Sequence, residues 1–221
     1  MNADLEAKND LEGYLKRFSR EICSINKTLS EETAVLDDVH SYFKKYPIKE
    51  TNYGHEGRVW ILIGAEEGKS YKSLMVAQAE NIYVEIVQDV QRMYNHVFQD
   101  KDDGTWDTRI KYDLDIFKGP IKVENKEDSY LYQPNNKQGK IAYFYRSLKK
   151  KYSSLKFYEV IIDAYIKPGD LSDLYKKKLY EISKDYYCEV MLAIKTDCKN
   201  WKPYGSGVGK RFYKQFLSEQ D

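Results

Sequence analysis

The residues best suited to chemistry lie near the C-terminal end of this sequence. Glu189 falls in a stretch with helical periodicity, and Asn200 and Trp201 follow it eleven and twelve residues later. A glycine-rich turn with Gly205, Gly207 and Gly209 comes next. A carboxylate is a preferred ligand of hard divalent cations, and backbone N–H groups in a glycine turn bind phosphate. The order of these groups therefore predicts a metal ion held beside a phosphate.

Basic residues are concentrated in the same part of the chain. Residues 137–221 carry 18 Lys and Arg against 10 Asp and Glu, a net charge of +8, whereas residues 1–136 carry 18 against 25, a net charge of −7. A basic region attracts nucleic acid by releasing counterions from its phosphates. The alternative is that the two oppositely charged halves stabilise each other or a partner protein. The cations that we predict to bind a nucleic-acid backbone are Lys149, Lys150, Lys151, Lys210, Arg211 and Lys214.

Other spacings suggest weaker chemical candidates. Asp113 or Asp115 followed by Glu124 and Lys126 resembles the metal-binding pattern of PD-(D/E)xK nucleases, although the polar surroundings favour a solvated charge pair. Arg92 and the following histidine, four residues on, would share one face of a helix and fall one residue short of the HEPN ribonuclease spacing.

Two further patterns at the C-terminal end carry less weight. The segment 205–210 lacks the Ser or Thr and the spacing of a nucleotide-binding phosphate loop. Cys198 has no histidine near it in sequence, which argues against a catalytic thiol.

Composition describes a globular protein. Of the 221 residues, 42% are hydrophobic and 32% are charged, which is enough for a core with a well-solvated surface. No apolar run is long enough to span a membrane, and residues 1–10 lack the features of a secretory signal. The three cysteines form no CxxC pair, so we expect reduced thiols, no structural zinc and a cytoplasmic location.

The N-terminal region, residues 1–47, is predicted to be a helical hairpin. Apolar residues alternate at spacings of four and three across residues 9–29, which indicates one helix. Ser30 can cap a second helix, and Pro47 ends it. We expect this hairpin to pack on the core or to bind a second copy of the chain or another protein.

Residues 48–221 are predicted to form an α+β domain with a small mixed or antiparallel sheet flanked by helices. Residues 58–64 read as a buried strand, residues 71–79 as a second strand, and Asn81 can cap a helix that runs to about residue 98. Further strands are expected over 110–116 and 156–166, with a final helix from about 170 to 196.

Three pieces of this domain together resemble the GIY-YIG nuclease family. They are the segment 58–61, the segment 75–78 followed by Asn81 and Ile82, and Glu189 followed by Asn200-Trp201 and the glycine turn. The resemblance covers about residues 57–98 and 179–212. Several signature positions are altered: Trp60 and Met75 stand where the family has tyrosines, Ala77 where it has glycine, and Glu85 where it has arginine.

The resemblance implies a metal-dependent endonuclease, for example of a restriction or mobile-element system. In that case Glu189 would bind one Mg²⁺ or Mn²⁺, Asn200 would orient or stabilise the site, and Arg58 or Arg92 would contact phosphate. The partner would be nucleic acid, with DNA favoured over RNA. The altered positions leave a second interpretation open: a non-catalytic protein that binds nucleic acid or another protein on the same scaffold.

Overall fold

The computed structural model describes a set of separate ranges of the chain. They are residues 7, 9–26, 31–48, 50–51, 54–55, 58–79, 81–94, 96–100, 106–111, 145–166 and 182–198. The described helices are α1 (Leu11–Lys16), α2 (Glu32–Lys45), α3 (Ile82–Met93), α4 (145–151), α5 (Ile162–Tyr165) and α6 (Ile182–Lys195). The described strands are β1 (Ser19–Asn26), β2 (Glu50–Thr51), β3 (Gly54–His55), β4 (Arg58–Ala65), β5 (Lys72–Ala79), β6 (His96–Asp100), β7 (Trp106–Lys111) and β8 (Ser154–Val160).

The central sheet has four antiparallel strands in the order β1-β8-β4-β5. Strand β4 lies inside the sheet and is buried from Val59 to Ala65, which explains why its sequence is a continuous apolar run rather than an alternating one. The β4–β5 hairpin turns at Gly68, whose positive φ of 69° suits glycine. Two small hairpins, β2–β3 and β6–β7, lie outside this sheet.

Helices cover both faces of the sheet. Val59, Ile61 and Ile63 of β4 belong to one core together with residues of α1 and α6. Trp60 and Leu62 belong to the opposite core, with residues of α2, α3 and α4. The alternation of β4 side chains therefore builds two hydrophobic layers, one on each side of the sheet.

This architecture confirms the predicted α+β class with an antiparallel sheet between helices. Strands β4 and β5 and the helix after Asn81 lie where the sequence predicts them. Asn81 is the N-cap residue of α3, and its side chain accepts a hydrogen bond from the Val84 backbone N–H at 3.2 Å.

The prediction of an N-terminal helical hairpin is wrong in its first half. Among the described residues of this half, positions 7 and 9 and α1 are helical, whereas residues 19–26 form β1, which pairs with β8 in the central sheet. A bulge between Glu21 and Cys23 shifts the register. It lets Ile22, Cys23 and Ile25 reach the same core, although a regular strand would alternate them. The four-and-three spacing that indicated a helix therefore comes from a helix followed by a bulged strand, and regions 1–47 and 48–221 share one sheet.

Two further boundaries differ from the sequence prediction. Helix α3 ends at Met93, and His96 begins β6, so Arg92 and His96 do not share a helix face as predicted. The strand predicted over 156–166 ends at Val160 and is followed by the short helix α5. The pairing of β6 with β7, and of β8 with β1 and β4, sets these boundaries, and local patterns carry little information about strand pairing.

The structure also bears on the predicted absence of membrane segments and of disulfides. None of the helices within the described ranges is long and apolar enough to cross a membrane. All three cysteines are buried, and none forms a disulfide.

Candidate functional site

The predicted site residues fall into two groups. Arg58, Arg92, Glu189 and the lysines at 149–151 lie in described elements, on β4, α3, α6 and α4 respectively. Asn200, Lys210, Arg211 and Lys214 lie outside the described residues, as do Trp201 and the glycine turn. The PD-(D/E)xK positions 113–126 also lie outside them. The geometry below therefore concerns the first group and its neighbours.

Glu85 occupies the centre of the candidate site. Burial raises the pKa of its carboxyl group to about 7, and the charges of Asp89 and Glu189 raise it further, whereas Trp60 and Arg92 lower it. Glu85 is thus influenced by Trp60 on β4 and, to the smallest extent, by the charge of Glu189 on α6, a helix that packs on the opposite face of the sheet. A carboxyl group that titrates near neutral pH is typical of functional sites, and buried ion-pair networks produce the same shift.

Asp89 lies one helical turn after Glu85 and is buried against two partners. It forms an ion pair with Arg92 on the same helix, and its Oδ2 accepts a hydrogen bond of 2.5 Å from the Tyr145 hydroxyl. The Tyr145 Oη also lies 3.0 Å from the Met75 Sδ. Burial raises the pKa of Asp89 to about 6, while Arg92 and the Tyr145 hydrogen bond lower it. We call Glu85, Asp89, Arg92 and Tyr145 the α3 cluster.

A second arginine, carboxylate and tyrosine group lies on the same face of the sheet. Glu159 on β8 accepts hydrogen bonds from Arg58 Nη1 at 2.8 Å and from the Tyr42 hydroxyl at 2.5 Å. Arg58 Nη2 also donates to the Pro47 carbonyl oxygen at 2.8 Å. We call Tyr42, Arg58 and Glu159 the Glu159 clamp. It fastens α2 and the turn after it to two strands of the sheet.

Trp60 connects the two groups. It pairs with Glu159 across β4 and β8, and it interacts with Glu85. The side chain is fully buried, and its indole N–H has no hydrogen-bond partner within 3.5 Å. Its burial fits an ordinary role in the hydrophobic core. The indole of Trp60 cannot transfer a proton as the tyrosine implied at this position would.

Both predicted phosphate-binding arginines already have carboxylate partners. The Arg58 side chain is 12% exposed and bound to Glu159, and the Arg92 side chain is 7% exposed and bound to Asp89. Contact with a phosphate would therefore require either arginine to exchange a carboxylate for the phosphate. This exchange is easier for Arg92, because protonation of Asp89 near pH 6 weakens its hold on the guanidinium group.

The lysines at 149–151 are arranged differently from a simple charged surface. Lys149 Nζ lies 3.9 Å from the centre of the Tyr94 ring, and burial lowers the pKa of this lysine. Lys151 is exposed, with its Nζ 5.3 Å from the centre of the Tyr152 ring. The three lysines remain predicted phosphate ligands, with Lys151 the most accessible of them.

The described residues offer few oxygen ligands for a metal ion. Within the described ranges, no group of three or more Asp, Glu, His or Cys side chains is placed to hold a metal ion. Mg²⁺ commonly binds one or two carboxylates and keeps several waters. Glu189, half-buried on α6, is a carboxylate whose chemistry fits an ion of this kind, whereas Glu85 belongs to α3 on the opposite face of the sheet.

The sequence alone did not reveal Asp89, Tyr145, Tyr42 or Glu159. Tyr42 was expected only as part of an apolar helix face, and the partners in each group are far apart in the chain. Comparison of the chain with known protein families, with curated proteins and with solved structures gave no match.

Proposed function

We propose that this chain is a divergent GIY-YIG-like endonuclease that hydrolyses phosphodiester bonds of nucleic acid, with DNA favoured over RNA. The observation that supports the proposal best is that Glu85, a position singled out by the resemblance, interacts with Trp60 and is influenced by the charge of Glu189. The proposal includes a cytoplasmic location and a role in a restriction or mobile-element system, both taken from the sequence analysis.

Each residue has a stated role in this proposal. Glu189 would hold one Mg²⁺ or Mn²⁺, and the bound metal would stabilise negative charge on the scissile phosphate. Arg92 would bind a phosphate oxygen after leaving Asp89, and Asn200 would orient or stabilise the site. The predicted backbone-binding lysines and Arg211 would retain the substrate.

The test compares cleavage by the native chain, by Glu189→Gln and by Glu66→Gln. Plasmid DNA and a long RNA are incubated with each protein in the presence of Mg²⁺ or Mn²⁺, and nicking is followed on gels. Glu66 is a matched control because it lies in the exposed β4–β5 turn, where it pairs with Lys69. We expect metal-dependent nicking by the native chain and by Glu66→Gln and none by Glu189→Gln. Nicking that survives in Glu189→Gln, or is absent throughout, would exclude the proposed mechanism.

A non-catalytic binding protein is the second candidate, and specific features favour it. Trp60 and Met75 stand where the resemblance implies proton-transferring tyrosines, and neither side chain transfers protons. Glu85 stands where it implies a cation, and its negative form repels phosphate. A native chain that retards nucleic acid in a gel without cutting it would support this candidate over the nuclease.

A further inference from the structure

A basic surface lies where the end of α2 meets the start of β1. Arg20 on β1 and Lys45 on α2 both approach the ring of Tyr46, with Cζ and Nζ at 4.4 Å and 5.3 Å from the ring centre. Lys44, the neighbouring residue, is exposed, as are Arg20 and Lys45. We call Arg20, Lys44, Lys45 and Tyr46 the Tyr46 patch. Cation–π contacts of this kind hold charged side chains in place without neutralising them.

The patch keeps its positive charge. Within the described part of the chain, none of Arg20, Lys44 and Lys45 forms an ion pair with a carboxylate. The nearest buried carboxylate on this face, Glu159, is already bound by Arg58 and Tyr42. Arg20 also forms a side-chain hydrogen bond with Tyr42 and lies across the strand pair from Glu159, so the charges most available to an external anion are those of Lys44 and Lys45.

Helix electrostatics explains only part of this arrangement. Lys44 and Lys45 lie in the last turn of α2, where cations interact favourably with the helix dipole. Arg20 belongs to a different element, an edge strand, and the dipole of α2 gives no reason for its position. The patch also lies in the half of the sequence with the net negative charge, so the overall charge count does not predict it.

The patch lies at the same end of the sheet as the candidate site. Arg20 pairs with Glu159, Glu159 with Trp60, and Trp60 with Ala77, so one row of residues crosses all four strands. This row spans three strand spacings, or about 14 Å. A duplex advances by about 3.4 Å per base pair, so about four base pairs cover this distance.

We propose that the Tyr46 patch binds the phosphate backbone of nucleic acid, beside the site that would act on it. This inference rests on the proposed function and adds a contact surface that the sequence analysis did not identify. The phosphates, rather than the bases, are the expected ligands, because the Tyr46 ring is covered by Arg20, Lys45 and the neighbouring Tyr42 ring.

The test measures binding of fluorescein-labelled DNA duplex, single-stranded DNA and single-stranded RNA by anisotropy over a range of salt concentrations. The variants are Lys44→Gln/Lys45→Gln and Arg20→Gln, all changes at exposed side chains. The control is Lys69→Gln/Lys72→Gln, which removes two exposed lysines near the β4–β5 turn. We expect roughly tenfold weaker binding by the double variant, and a salt slope smaller by about 1 for each lysine removed. Arg20→Gln should weaken binding to a smaller extent, and the control should bind like the native chain.

The possible failures are distinguishable. Undiminished binding by both patch variants would overturn the inference and leave nucleic-acid binding elsewhere on the chain intact. A native chain that binds none of the three nucleic acids would overturn both the inference and the proposed function. Binding to vesicles of phosphatidylserine and phosphatidylcholine, lost in the double variant and without any nucleic-acid binding, would assign the patch to a membrane surface and reject the inference.

Discussion

The Glu159 clamp and the α3 cluster contain the same three side-chain types on the same face of the sheet. In the clamp, one arginine and one tyrosine from two separate elements converge on a single carboxylate of a third. In the α3 cluster, Arg92 forms an ion pair with Asp89, and a second carboxyl group, Glu85, lies one turn away on the same helix. The clamp therefore joins three elements, whereas the cluster concentrates acidic groups along one helix.

This difference predicts different roles for the two groups. Cross-element ion pairs with satisfied hydrogen bonds fix the positions of α2, β4 and β8. In the cluster, burial raises the pKa values of Glu85 and Asp89 to about 7 and about 6, and repulsion by Asp89 adds to the shift of Glu85, so protons bind and leave near neutral pH. The clamp is expected to matter for stability and the cluster for pH-dependent behaviour, and both expectations can be tested.

The largest effect is expected from Glu159→Ala. This change leaves the Arg58 guanidinium buried without its carboxylate and removes the acceptor of Tyr42, which should cost about 3–5 kcal/mol of unfolding free energy. Urea unfolding followed by circular dichroism measures the loss, with Glu66→Ala in the exposed turn as the control. A loss below that of the control would show that the clamp does not hold the fold together.

The next largest effect is expected from Glu85→Gln, which should remove the contribution of this carboxyl group to the pH dependence of the unfolding free energy. The pKa of Glu85 rises from 4.5 in the unfolded chain to about 7 in the folded one, so the folded state binds more protons between these values. Stability is therefore highest at low pH and falls as pH rises to 7, by up to about 3 kcal/mol for this group.

Thermal unfolding at pH 5 and pH 8 checks this prediction. The variant should be stabilised relative to the native chain at pH 8 much more than at pH 5. Glu12→Gln is the control, because Lys156 lowers the pKa of Glu12 and this group stays ionised in both conditions. An equal difference between Glu85→Gln and the native chain at both pH values would contradict the raised pKa.

The two tyrosines offer a matched pair of smaller changes. Tyr42→Phe and Tyr145→Phe each remove one hydroxyl that donates to a buried carboxylate, at a cost of about 1.5–3 kcal/mol. Only Tyr145→Phe should also raise the pKa of Asp89, because its hydrogen bond favours the ionised form. NMR titration of the aspartate side chains in both variants tests this, and the same Asp89 titration in both would argue that the cluster is not a separate unit.

The smallest effect is expected from Asn81→Ala at the start of α3. The change removes the acceptor for the Val84 N–H and should cost about 1 kcal/mol. Because the cap lies one turn before Glu85, hydrogen exchange should quicken in the first turn of α3 and stay unchanged in β8. Faster exchange at β8 as well would mean that the cluster and the clamp unfold together.

Local signals predicted the parts of the fold that they control. The apolar run of β4 and the cap at Asn81 each act within a few residues, and both were read correctly. Residues 19–26 were misread because a helix followed by a bulged strand reproduces a helical spacing. For the site, the sequence named Glu189, Arg58 and Arg92 as candidates and Glu85 only as an altered position, and it gave no sign of the carboxylate partners of the two arginines.

By itself, the sequence determined the α+β class, the buried apolar strand β4 and the start of α3 at Asn81, because periodicity and capping are local properties. Only the tertiary structure brought Tyr42 to Glu159 across 117 residues and Tyr145 to Asp89 across 56. It also brought Arg20 to Tyr46. These contacts depend on strand order and helix placement, which are decided by the packing of the whole core and which no short stretch of sequence encodes.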